Sequence, residues 1–146
     1  MAGKQLNLTV RCGSRREWID PLQEFSERIF TMAGFDEEQA YWLVLAVREA
    51  VMNAVLHGNK ERPDADVRVD YRLADGRVEI SVCDQGEGFD PGDLSDPLSA
   101  ENLLSEGGRG VYLMRQFMDE VNFSFPEAGG TCISLVKSVS SASNDG

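Results

Sequence analysis

Val47-Arg-Glu-Ala-Val-Met-Asn-Ala-Val-Leu-His-Gly58 is a largely apolar stretch in which Glu49, Asn53 and His57 recur every fourth residue. At helical spacing these three polar side chains form one stripe. Val47, Val51, Ala54 and Val55 fall on the opposite face, as a helix packed on a core requires. Leu45, Met52 and Leu56 flank the stripe and set it apart from an ordinary solvated surface. A Glu or an Asn in so dry a setting costs on the order of 1–3 kcal/mol unless something pairs with it. A metal ion or a reacting hydroxyl supplies such a pairing. A capped helix with Glu49 hydrogen-bonded internally does so as well, and the helix alone leaves both open.

Signals on either side bound the helix. Asp36 and Gln39 have the spacing of a capping box, and Glu37 and Glu38 suit a helix's positive start. Gly58-Asn59 ends it, with Pro63 just beyond. Upstream, Trp18, Leu22, Phe25, Ile29 and Met32 recur at helical spacing up to Gly34, after a short strand over 6–10. Downstream, Val67, Val69, Tyr71 and Leu73 alternate with polar residues, as do Val78, Ile80 and Val82, around a hairpin turn at Asp75-Gly76. Residues 89–108 break the pattern with Pro91, Gly92, Pro97 and five acids, and hold no Lys or Arg. A loop of that length in a small domain reads as a lid or a disordered insert. Val111, Met114, Phe117, Met118 and Val121 mark a further helix, and strands around 121–125 and 131–136 close the chain.

The order strand, helix, helix, hairpin, lid, helix, hairpin predicts an α+β, two-layer sandwich: a mixed, mostly antiparallel sheet covered by helices. Residues 1–137 are expected to form a single domain and 138–146 a frayed tail.

The 146 residues suit one domain with a proper core. There are 25 acidic residues against 14 basic ones, a net charge of −11. That balance argues against nonspecific binding to nucleic acid or anionic membranes, which depends on basic patches. The first ten residues lack the apolar core of a signal peptide, and no apolar run is long enough for a bilayer span. A cytoplasmic protein is expected. Cys12, Cys83 and Cys132 are odd in number, far apart and set in strand-like stretches, which predicts reduced core residues.

Four segments carry candidate chemistry. In the first, Asn53 Oδ1 suits Mg²⁺, with phosphate oxygens and waters completing the shell. Glu49, one turn away, is placed to accept a proton from an attacking hydroxyl or water. Because Asn53 is neutral, metal and polyphosphate are expected to bind together. His57, beside Gly58, can serve the helix's terminal carbonyls or touch a ligand, and the structural role is preferred. The second segment, Cys83-Asp-Gln-Gly-Glu-Gly-Phe89, ends a strand. Asp84 can accept a hydrogen bond from adenine's exocyclic amine, and Gly86 and Gly88 let the backbone turn and lie flat on a base. A plain glycine-rich turn explains the same residues.

The third, Glu106-Gly-Gly-Arg-Gly-Val111, runs into a helix whose first N–H groups suit phosphate, with Arg109 as local positive charge. A flexible joint is the simpler reading, and no Walker A lysine follows. The fourth, Gly129-Gly-Thr-Cys-Ile133, opens a strand where Thr131 can lie beside the base edge.

Taken in order, Glu-x-x-x-Asn-Ala-x-x-His-Gly, Asp-x-Gly-x-Gly-Phe, a lid, Gly-Gly-Arg-Gly-Val and Gly-Gly-Thr cover most of the chain. The set resembles the ATP-binding superfamily of type II topoisomerases, histidine kinases and the heat-shock chaperone. It most resembles that superfamily's short branch, the bacterial anti-sigma factor serine/threonine kinases. The resemblance implies the Bergerat, or histidine-kinase-like ATPase, fold. It implies that Glu49 is the catalytic base, that Asn53 holds Mg²⁺, and that Asp84 reads adenine with Gly86 and Gly88 shaping the pocket and Thr131 assisting. It further implies that Gly108, Arg109 and Gly110 bind the phosphates of ATP. The expected protein is a homodimer that sequesters a sigma factor and phosphorylates an anti-anti-sigma (STAS-domain) partner on Ser or Thr.

One departure stands out: many relatives carry a basic residue in the lid, whereas this lid is acidic throughout. An ATP-binding regulatory module without kinase activity is therefore the second expectation. The catalytic domain of a histidine kinase is a third, disfavoured because no helical hairpin bearing a phosphoacceptor His precedes the motifs in this sequence.

Overall fold

The computed structural model describes residues 5–86 and 109–139. A strand throws successive side chains to opposite faces. In β2 (Asp66–Ala74), Val67, Val69, Tyr71 and Leu73 are accordingly buried, while Arg68 and Arg72 face solvent. β3 (Arg77–Cys83) repeats the pattern with Val78, Ile80 and Val82 inside. Asp75 and Gly76 join the two strands at φ of 54° and 72°. Successive left-handed residues match the twist of a two-residue hairpin. β1 (Leu6–Gly13) runs past the expected end at Val10 because its whole length pairs with β2, from Leu6 opposite Leu73 to Gly13 opposite Asp66.

β4 (Glu120–Ser124) and β5 (Cys132–Ser138) complete a five-stranded sheet of order β1-β2-β3-β5-β4. Every pairing is antiparallel, so the sheet lies at the antiparallel limit of the mixed arrangement expected. β5 passes between β3 and β4, which brings Cys132 opposite Cys83. Beyond β5, the Val139 N–H donates to Gly76 O at 2.7 Å.

α1 (Ile19–Ala33), α2 (Glu37–Met52) and α3 (Arg109–Phe117) form the second layer, and their buried residues share one core with the inner row of the sheet. α2 starts with the expected capping box: the Gln39 N–H donates to Asp36 Oδ1 at 2.8 Å, and the Asp36 N–H to Gln39 Oε1 at 3.3 Å. Leu43, Val44, Val47 and Val51 are buried, and each removes enough apolar surface for about 1.5–3 kcal/mol.

The face of α1 differs from expectation. Ile19, Leu22, Ile29 and Phe30 are buried with Ser26, while Trp18 and Met32 are 42% and 56% exposed. Trp18 closes a 3₁₀ turn (Arg16–Trp18) ahead of the helix, so the apolar face is phased from Ile19 and turns Met32 outward. Ser26 Oγ lies 2.7 Å from the Tyr71 hydroxyl, which satisfies both buried groups.

The acidic segment read as a lid, 89–108, and residues 140–146 of the expected tail lie outside the described residues. Among the described residues, no helix is long and apolar enough to cross a membrane.

Candidate functional site

α2 changes pitch at Asn53. Residues Asn53–Gly58 wind as one π-helical turn, and the Asn59 N–H reaches back five residues to Ala54 O at 2.8 Å. Such widened turns are rare and concentrate at functional sites. Asn53 is buried, Glu49 half-buried and His57 exposed. The expected stripe of three is therefore a pair. Nor does His57 serve the terminal carbonyls: Ala54 O and Val55 O accept the N–H groups of Asn59 and Glu61 at 2.8 and 2.9 Å.

Asn53 is 4% exposed, and its Nδ2 has no hydrogen-bond partner among the described residues. An unpaired buried amide costs on the order of 1–3 kcal/mol. A half-turn of the amide exchanges nitrogen for oxygen, so an oxygen can occupy the unpaired position, where it suits a hard cation. Glu49, one turn earlier, makes no hydrogen bond or ion pair to a described residue.

Asp84 follows the last residue of β3 and is 8% exposed. Its N–H donates to Thr131 O at 2.9 Å, while Oδ1 accepts from the N–H groups of Gly86 at 2.9 Å and Thr131 at 3.1 Å. Burial pushes its pKa up, and those two N–H groups and the Arg62 charge pull partly the other way. The bonds between Thr131 and Asp84 run through the main chain of Thr131, which insertion of β5 beside β3 makes possible.

Three glycines allow this approach. A β-carbon on Gly58 would lie 2.1 Å from Asp84 Oδ2, one on Gly86 2.2 Å from Gly58 O, and one on Gly130 2.1 Å from Asp84 O. No side chain fits between these segments. The end of β3 is thus clasped to the end of the helix that carries Glu49 and Asn53. Gly110 is buried in the first turn of α3, which Arg109 opens, and Gly88 and Gly108 lie outside the described residues.

Two features escaped the sequence reading. Cys83 and Cys132 form a disulfide, which corrects the expectation of reduced core cysteines; Cys12 alone is a free thiol. The pair is 49 residues apart in the chain but directly opposite across β3 and β5, and only the order of the strands reveals that. Asn59, read as part of a helix stop, is fully buried. Its Oδ1 accepts the Gln85 N–H at 2.7 Å, and its Nδ2 donates to Ser14 Oγ at 2.6 Å and Asp66 O at 2.9 Å. A polar residue just past a helix-ending glycine was the one available signal.

Residues 14–137 match the family model described as the histidine kinase-like ATPase domain. A protein named serine-protein kinase RsbW from Bacillus licheniformis is 32% identical over 136 residues, covering 89% of this chain and 84% of that protein. Its namesake from Bacillus subtilis is 31% identical over 120 residues, covering 78% and 75%. An anti-sigma F factor of Heyndrickxia coagulans is 39% identical over 94 residues, covering 62% of this chain and 64% of that one. Among solved structures, the RsbU and RsbW domains of a Mycobacterium tuberculosis protein share the fold, with a TM-score of 0.65 at 21% identity over 92% of this chain and 32% of that one.

Proposed function

The chain belongs to the histidine kinase-like ATPase domain family, and from that membership we propose that it is an ATP-dependent serine/threonine protein kinase and anti-sigma factor. It sequesters a sigma factor and phosphorylates an anti-anti-sigma, STAS-domain partner. Relatives named as serine-protein kinases and as an anti-sigma F factor support this reading. The observation that carries it is the clasp of a buried carboxylate, Asp84, onto the helix that presents Glu49 and the unpaired amide of Asn53.

Each residue then has a chemical role. Asp84 accepts a hydrogen bond from the exocyclic amine of adenine and repels the carbonyl that guanine presents there. Gly86, Gly88 and Thr131 shape the same end of the pocket. Gly108, Arg109 and Gly110 hold phosphate oxygens with main-chain N–H groups and positive charge, Arg109 and Gly110 from the first turn of α3. The Asn53 amide oxygen holds Mg²⁺, which when bound neutralises charge on the phosphates. Asn53 brings no charge of its own, so cation and nucleotide bind together. Glu49 takes the proton of the partner's Ser or Thr hydroxyl as that oxygen attacks the γ-phosphorus and ADP departs. Positioning and charge neutralisation supply most of the rate in such transfers, so few side chains suffice. The working unit is a homodimer.

The deciding experiment incubates the protein with Mg²⁺-ATP and a STAS-domain anti-anti-sigma partner, then weighs the partner by mass spectrometry. A gain of one phosphoryl group on Ser or Thr is expected. An unmodified partner that still displaces a bound sigma factor would instead establish the binding-module reading, for which the absence of Lys and Arg from 89–108 speaks and against which Glu49 speaks.

A further inference from the structure

Gln85, the residue after Asp84, has both of its backbone polar groups held from the helix side of the site. Its N–H donates to Asn59 Oδ1 at 2.7 Å, and its carbonyl accepts from Arg62 Nη2 at 3.1 Å. The two holders are themselves joined, since Arg62 Nε donates to Asn59 O at 3.1 Å. Asn59 is anchored in turn by its bonds to Ser14 and Asp66, and Gln85 Oε1 accepts the Asp66 N–H at 2.7 Å. From the opposite side, Thr131 holds the main chain and carboxylate of Asp84. Asp84 is thus suspended between β5 and the loop that follows the π-turn.

We propose that Asn59 and Arg62 are positioning residues that clamp Gln85 and thereby set the base selectivity of the nucleotide site through Asp84. The inference rests on the reading that Asp84 recognises adenine. Hydrogen-bond strength falls steeply with distance and angle, so a reading carboxylate must be held to within about half an ångström. A carboxylate freed to swing loses its bond to adenine's amine and also relaxes its repulsion of guanine's carbonyl. Both changes lower the preference for ATP over GTP. A loss of fold alone lowers both affinities together. The Arg62 charge adds a second contribution, since it favours the ionised, accepting form of Asp84.

The test is calorimetric titration of Mg²⁺-ATP and Mg²⁺-GTP into the full chain and four variants. Asp84→Asn is the reference that tests the adenine reading itself. Asn59→Ala is expected to lower the ATP-over-GTP preference about tenfold, the scale of one charge-assisted hydrogen bond, and Arg62→Ala about threefold. Ser26→Ala, which removes a buried hydroxyl bonded to Leu22 O and Tyr71 and not to Asn59, Arg62 or Gln85, is expected to keep the preference within about twofold. If Asp84→Asn abolishes the preference while Asn59→Ala and Arg62→Ala both keep it, the clamp is overturned and the adenine reading stands. If Asp84→Asn leaves the preference intact, both fall. A parallel loss in Ser26→Ala also overturns the clamp, because general loosening then explains it. Should Asn59→Ala fail to fold, the exposed Arg62→Ala variant decides alone by the same criterion.

Discussion

The Asp84 carboxylate is pressed against the α-carbon of Gly58, so closely that a β-carbon there would lie 2.1 Å from Oδ2. Gly58→Ala must therefore displace a buried side chain that two N–H groups hold in place. We expect a stability loss of about 1–3 kcal/mol and at least a tenfold loss of ATP affinity, checked by thermal melts and calorimetry. Gly13→Ala is the control: nothing lies within 4 Å of its β-carbon position, and its stability is expected to change by less than about 0.5 kcal/mol.

Asp84 should separate binding from stability as pH changes. Its pKa is raised by burial, so the folded chain keeps this proton at pH values where the unfolded chain has already lost it. Its contribution to stability accordingly declines as pH rises from the ordinary carboxylate value, 3.8, through the raised one. Ligand binding runs the other way, because the ionised form accepts the adenine amine, and affinity falls as pH drops through the same window. Comparing the wild type with Asp84→Asn across pH cancels the titration of the phosphates. The variant is expected to bind ATP weakly at every pH while the apo protein is at least as stable at neutral pH.

Glu49→Gln tests the proton acceptor. The amide keeps the size and polarity of the side chain but takes no proton. ATP affinity is expected to stay within about twofold, while partner phosphorylation slows by about a hundredfold or more. Phosphorylation at the wild-type rate would remove Glu49 from the role of base.

The Cys83–Cys132 disulfide joins β3 to β5 beside Asp84 and Thr131 and links residues 49 apart. Closing so long a loop constrains the unfolded chain and is worth about 2–4 kcal/mol. Dithiothreitol should lower the melting temperature of the wild type. The variant with Cys83→Ser and Cys132→Ser should melt at that lower temperature and show no response to the reductant.

Features written in neighbouring residues were legible in the chain. The Asp36–Gln39 capping box, the stop at Gly34, the hairpin at Asp75-Gly76 and the alternation of β2 and β3 all involve groups within a few positions of one another. Local sterics and hydrogen bonding decide them before any tertiary contact forms. The polar character of Glu49 and Asn53 amid apolar residues was visible for the same reason. The apolar face of α1 was misphased at Trp18 and Met32 because helical spacing alone does not fix where the helix begins.

The rest was settled by packing. Insertion of β5 between β3 and β4 sets Thr131 beside Asp84 and Cys132 opposite Cys83, a choice among strand orders that alternation along one strand cannot express. The π-turn and the burial of Asn59 against Gln85 arise where the helix end meets the end of β3. Each segment carries its own periodicity in its covalent order. The meeting of a carboxylate with a glycine 26 positions away depends on which surfaces close the core together, and only the folded chain fixes that.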